Sequence, residues 1–249
     1  MSAEWAELDD GAWQLYGGLH RLLLRLAGRV PDELLTRART MLAVGDLSYL
    51  PETVTMAALE YGVPLTAQEL GLLREVFTAL GIEGEPAGID RVPTTDPTPD
   101  APPTNAIDRV NAADPAPATG HRFSPDLAEP PRIPAGLDLT DGVPVELADL
   151  EDELFDLHDH LVVDALSEHT GVVAVLRAWR SGPGGRRRVY LAEVDPGVMA
   201  WELTLEAQTE LRQLGEDDPQ AEVYWTGDDL PPYHRAARAA ATVLWKRQP

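Results

Sequence analysis

The 249-residue chain carries 42 acidic against 20 basic side chains, a formal net charge of -22, and no cysteine. Its length suits one or two domains with real cores, and 44% hydrophobic content excludes wholesale disorder. Zero cysteine excludes disulfide scaffolds, thiol catalysis and Cys-ligated metal centres. The acidic excess argues against duplex nucleic acid as a partner, because phosphate contacts need Lys and Arg in local excess.

The amino terminus places Glu4, Glu7, Asp9 and Asp10 where an export signal needs positive charge and an apolar run. The apolar runs at 22–24 and 161–163 fall far short of the roughly 20 residues that span a bilayer. The expectation is a cytoplasmic chain with no membrane partner.

Residues 1–85 read as an all-α helical bundle. Trp13, Tyr16, Leu19, Leu22, Leu23 and Leu26 recur at three- and four-residue spacing, and Gly28 closes that helix. A second helix follows Pro31 to Gly45, and a third runs from Pro51 to Tyr61. The fourth opens with Thr66 three residues before Glu69, a capping-box spacing, and ends at Gly81. Positions 51–80 hold four glutamates against Arg74, which speaks against a DNA-reading helix-turn-helix there.

Residues 86–145 read as a long Pro-rich, disordered linker. Thirteen of the chain's 22 prolines lie between Pro86 and Pro144, among Asp, Thr and Ala and without apolar periodicity. Within it, 121–125 (His-Arg-Phe-Ser-Pro) carries the one aromatic and reads as bland linker, with docking as the competing role.

Residues 146–249 read as a small α/β domain of order αββαβα with a mixed sheet. A helix spans 146–169. Two β-rich runs, 172–180 and 186–194, flank a Gly/Pro-rich turn and form a hairpin. A helix from Pro196 to Leu214, a strand from Ala221 to Thr226 and a final helix from Tyr233 to Lys246 complete the domain.

Three features could carry chemistry. The helix of 146–168 holds nine carboxylates and no Lys or Arg, over a stripe of Leu147, Leu150, Leu154, Leu157 and Leu161. Like-charge pairs one turn apart cost about 0.2–0.5 kcal/mol each, so this face is either solvated or meets a basic partner. Asp149, Glu153, Asp156 and Asp159 would carry that contact, and the stripe leaves a homodimer open. The second feature is the hairpin's Arg177, Arg180, Arg186, Arg187 and Arg188. If Ser181 pairs with Arg186, strand alternation puts Arg177, Trp179, Arg188 and Tyr190 on one side, as a site for an anionic ligand or phosphopeptide. Pairing of these arginines with the chain's own acids is the competing outcome. Third, His158 and His160 project about 200° apart on a helix and cannot share one metal, and Glu193 with Asp195 only loosely resembles a Mg²⁺-holding pair.

No nucleophile elbow, Walker loop or dinucleotide fingerprint occurs. The leading expectation is therefore a non-enzymatic acidic protein-interaction module that binds a basic protein partner, an immunity or antitoxin-type protein being one concrete form. The alternative is a regulatory module for an anionic ligand at the Arg/aromatic hairpin, and a metal-dependent hydrolase ranks below both. No cofactor is expected.

Overall fold

A computed structural model describes residues 8–95, 120–125, 157–182 and 185–248. Among these residues the chain forms seven helices and a mixed five-stranded sheet. They fall into two compact units, one within Met1–His121 with Met199–Glu202, the other within Arg122–Val198 with Leu203–Pro249.

The first unit holds α1 (Asp10–Leu26), α2 (Asp32–Ala43), α3 (Leu50–Glu60) and α4 (Ala67–Ala79). α1 packs on α2 and α4, and α3 packs on the same two helices. The leucines expected on α1 are its buried face: Leu19, Leu22, Leu23 and Leu26 are buried, as are Leu35, Leu42, Val54, Leu73 and Val76 of the other helices. The capping box forms as its spacing requires. Glu69 N–H donates to Thr66 Oγ1 at 3.2 Å, and Thr66 N–H donates back to Glu69 Oε2 at 2.7 Å. Glu69 Oε1 also pairs with Arg25 Nε at 3.0 Å, so one carboxylate caps α4 and ties it to α1.

The stretch 86–95 belongs to this unit and corrects the expected linker boundary. Ile89 and Val92 are buried, and Leu65 bridges Thr94, with Leu65 N–H donating to the Pro93 carbonyl at 2.9 Å. Two apolar side chains among the prolines suffice to anchor it. The remaining residues of the proposed linker, except 120–125, lie outside the described residues.

The second unit contains β1 (Arg122–Ser124), α5 (157–167), β2 (Val172–Gly182), β3 (Gly185–Val194), all but the first three residues of α6 (Ala200–Gln213), β4 (Gln220–Trp225), α7 (Pro232–Ala239) and β5 (Thr242–Lys246). β2 and β3 form the expected hairpin, with Ser181 opposite Arg186, Trp179 opposite Arg188 and Arg177 opposite Tyr190. β4 joins β3 in parallel, with α6 in the intervening chain. Gly171 admits the chain into β2: a Cβ there would clash with Val198 Cγ2.

Two strands were not anticipated. The other edge of β2 takes β1 against 179–181 and β5 against 174–177, both antiparallel. The expected final helix thus stops at Ala239, and Thr242–Lys246 is a strand. The alanines at 236–241 favour helix, but Thr242, Val243 and Trp245 suit a pleated surface, and pairing with β2 satisfies backbone groups its edge would otherwise leave unpaired. β1 turns three residues of the presumed linker into sheet, anchored where Phe123 packs edge-on against Tyr233 at 5.1 Å.

Candidate functional site

Strand alternation gives the sheet of the second unit two different faces. On one, Ala178, Arg180, Val189, Leu191, Glu193, Glu222 and Tyr224 follow from the registers, and this face meets α7. Arg180 is 4% exposed and donates from Nη1 to Tyr233 Oη at 3.1 Å. Glu222 Oε2 lies 2.9 Å from His234 Nε2, with both side chains fully buried. Arg238 pairs with Glu193 at 2.9 Å and lies over the Tyr224 ring. Burial, opposed by Arg238 and supported by Glu193, pushes the Tyr224 hydroxyl up to about 12. Arg180 therefore leaves the expected basic cluster, because it stands an odd number of residues from Arg177 and Trp179 along β2 and so points to the opposite side.

The other face carries Arg177, Trp179, Arg186, Arg188 and Tyr190, and α5 meets it. Asp159 of α5 accepts from Arg177 Nη1 at 2.6 Å and from Tyr190 Oη at 2.8 Å. Burial first, then the charge and hydrogen bond of Asp159, hold the Tyr190 hydroxyl well above the ordinary tyrosine range. Asp159 was expected to turn its charge outward toward a basic partner. It is instead only 9% exposed and clasped by the chain's own guanidinium. The reason lies in helix phase: the inward side of α5 is Asp159, Val162 and Leu166, at spacings of three and four, while Leu157 of the expected leucine stripe is exposed. Asp149, Glu153 and Asp156 lie outside the described residues.

Arg177 and Tyr190, expected in a ligand site, are thus both bonded to Asp159. Arg177 also reaches the Pro125 carbonyl at 3.3 Å, which fixes the end of β1. Above them, the Trp179 indole gathers three guanidinium groups, with Arg188, Arg186 and Arg177 centred 5.0, 5.4 and 5.9 Å from the ring. Their positive charge sits against the negative ring face and leaves Trp179 8% exposed. The indole therefore serves as a platform that orients donors.

The opposite wall comes from the turn between α6 and β4, which sequence reasoning did not single out. α6 ends in a Schellman motif. Glu216 N–H donates to the Leu211 carbonyl at 3.1 Å and Gly215 N–H to Arg212 at 3.0 Å, with Gly215 in the left-handed region at φ 87°. That geometry fixes where Glu216 leaves the helix. Its Oε1 reaches Arg188 Nη1 at 3.3 Å and lies 3.6 Å from His158 Nε2, and Asp218 Oδ2 stands 3.7 Å from Arg187 Nη2. Trp179, Arg186, Arg187 and Arg188 on one side, and Gly215, Glu216, Asp217 and Asp218 on the other, enclose an open pocket of about 410 Å³. The signal in the sequence was the Gly-Glu-Asp-Asp run directly after a helix.

The remaining candidates are held elsewhere. Glu193 accepts from Arg238 and from Thr226 Oγ1, while Asp195 is chelated by Arg247 at 2.6 and 3.2 Å, which holds its carboxyl below the usual range. Each carboxylate thus has its own arginine, which runs against the Mg²⁺ pair considered from the sequence. His158 approaches Glu216, whereas His160 is exposed. No helix among the described residues is long and apolar enough to cross a membrane. Comparison with protein families, with curated proteins and with solved structures finds no match to this chain.

Proposed function

We propose that this chain is a non-enzymatic binding protein whose second unit takes a compact oxyanion, such as a phosphate-bearing small molecule, in the pocket beside Trp179. The observation that carries this reading is the convergence of Arg177, Arg186 and Arg188 on one indole at the edge of a cavity of about 410 Å³. Pockets of roughly 300–1,000 Å³ suit small ligands. Guanidinium forks match phosphate oxygens two at a time, and side chains already stacked on a ring lose less rotamer freedom on binding.

Thermal denaturation of the full chain with phosphate, pyrophosphate, sulfate and chloride at matched ionic strength tests the reading. A ligand at 100 times its Kd stabilises the state it binds by about 2.7 kcal/mol, so pyrophosphate is expected to raise Tm by several degrees. Arg186→Ala, an exposed position, is expected to remove that rise and leave the unliganded Tm nearly unchanged. Equal response to all four salts, or an undiminished response in the variant, contradicts the proposal.

A second reading, the acidic interaction module, retains support from Asp164 and Glu168, which are exposed on and just after α5 and follow the run containing Asp149, Glu153 and Asp156. On that reading a basic protein partner binds with an affinity that falls steeply as salt rises.

A further inference from the structure

The pocket beside Trp179 carries carboxylates as well as guanidinium groups, and two of them already stand where an oxyanion ligand would. Glu216 Oε1 lies 3.3 Å from Arg188 Nη1, and Asp218 Oδ2 lies 3.7 Å from Arg187 Nη2. Both acids come from the turn set by the Gly215 Schellman motif, whose geometry brings them to the arginine wall. Asp217, between them, is exposed, lines the same pocket and makes no hydrogen bond or ion pair among the described residues.

We infer that Glu216 acts as a tethered competitor for the oxyanion site, closing it until a ligand anion displaces its carboxylate from Arg188. This inference rests on the anion-binding reading of the pocket. The chemistry of displacement is an exchange of one oxyanion for another on the same guanidinium N–H donors. A phosphate group with three oxygens has the advantage, since it can engage more than one guanidinium where a single carboxylate oxygen holds one. His158 Nε2 lies 3.6 Å from the same carboxylate oxygen of Glu216. The site is thereby selective as well as gated. A monovalent anion such as chloride or acetate offers no more than Glu216 already supplies, and the tether gives Glu216 an effective concentration that a free monoanion cannot match.

The arithmetic of a closed fraction sets the size of the effect. If Glu216 holds Arg188 in about nine molecules of ten, the apparent affinity for a ligand is reduced about tenfold, and removing the carboxylate's charge restores it. The control is built into the turn. Asp217→Asn removes the same unit of negative charge from the same pocket without releasing an arginine.

The experiment is calorimetric titration of inorganic pyrophosphate, in the presence of a chelator, into the full chain and its Glu216→Gln, Asp217→Asn and Arg186→Ala variants. Glu216→Gln keeps the shape of a side chain that is one-quarter exposed, so folding is expected to be unchanged. The expected result is about tenfold tighter binding for Glu216→Gln and less than threefold for Asp217→Asn. Acetate is expected to bind measurably only in Glu216→Gln. Equal tightening in both variants, or weaker binding in Glu216→Gln, overturns the competitor role. With Arg186→Ala still abolishing binding, that outcome leaves the pocket assignment standing. No saturable binding in the native chain and in every variant overturns both.

Discussion

Tyr190 and Asp159 show how a single pairing redirects a residue expected at the surface. A carboxylate two hydrogen bonds deep, one to Arg177 and one to Tyr190, joins α5 to the sheet and holds the guanidinium that helps cradle Trp179. The raised Tyr190 ionisation follows first from burial and then from Asp159, so its stability consequence lies at alkaline pH. The unfolded chain releases that proton near pH 10 while the folded chain retains it. Stability is therefore full below pH 10 and falls as pH rises through the folded value. Asp159→Asn is expected to lower the Tyr190 midpoint while leaving it above 10, because burial persists. Ultraviolet titration of tyrosinate, with Tyr190→Phe identifying the transition, measures this, and an unchanged midpoint contradicts the assigned role. The buried Glu222–His234 pair makes a comparable link between β4 and α7 on the opposite face.

At the scale of elements, the best-read features are those with local rules. The capping box at Thr66 and Glu69 is legible because one side chain and one backbone group three residues apart decide it. Thr66→Ala is expected to cost about 1 kcal/mol, measured by denaturant unfolding, and a loss below about 0.2 kcal/mol contradicts the cap's contribution. The hairpin register was legible too, since setting Ser181 against Arg186 fixes the pairs from Gly182 back to Ala174, before the register shifts near Val172. What local rules do not contain is the long-range edge of β2. Three residues around Phe123 and five around Val243 become strands because that edge accepts them, against a proline-rich context in one case and an alanine-rich one in the other. Helix phase differs at two described positions: Leu157 of the expected stripe is exposed, and Asp159 turns inward to Arg177 and Tyr190. Of the four residues that alternation puts on one side, Trp179 and Arg188 line the pocket, where Arg186 and Arg187 join them, and the acidic wall was missed because a turn's direction depends on where the preceding helix ends.

At the scale of the molecule, a net charge of -22 coexists with a unit whose arginines are largely engaged internally. Arg177, Arg188, Arg238 and Arg247 each meet a carboxylate, and the net charge opposes an approaching anion at long range. On the proposed reading, recognition depends on short-range guanidinium geometry, which Trp179 prepares and Glu216 contests. The most direct test follows the Trp179 indole and the Arg186 and Arg188 side-chain resonances by NMR as pyrophosphate is added to the full chain at constant ionic strength. Saturable shifts at those three residues are predicted, with the Trp225 indole, bonded to the Val198 carbonyl at 2.8 Å, unmoved. Shifts that do not saturate, or that appear at Trp225 as strongly as at Trp179, would contradict the account.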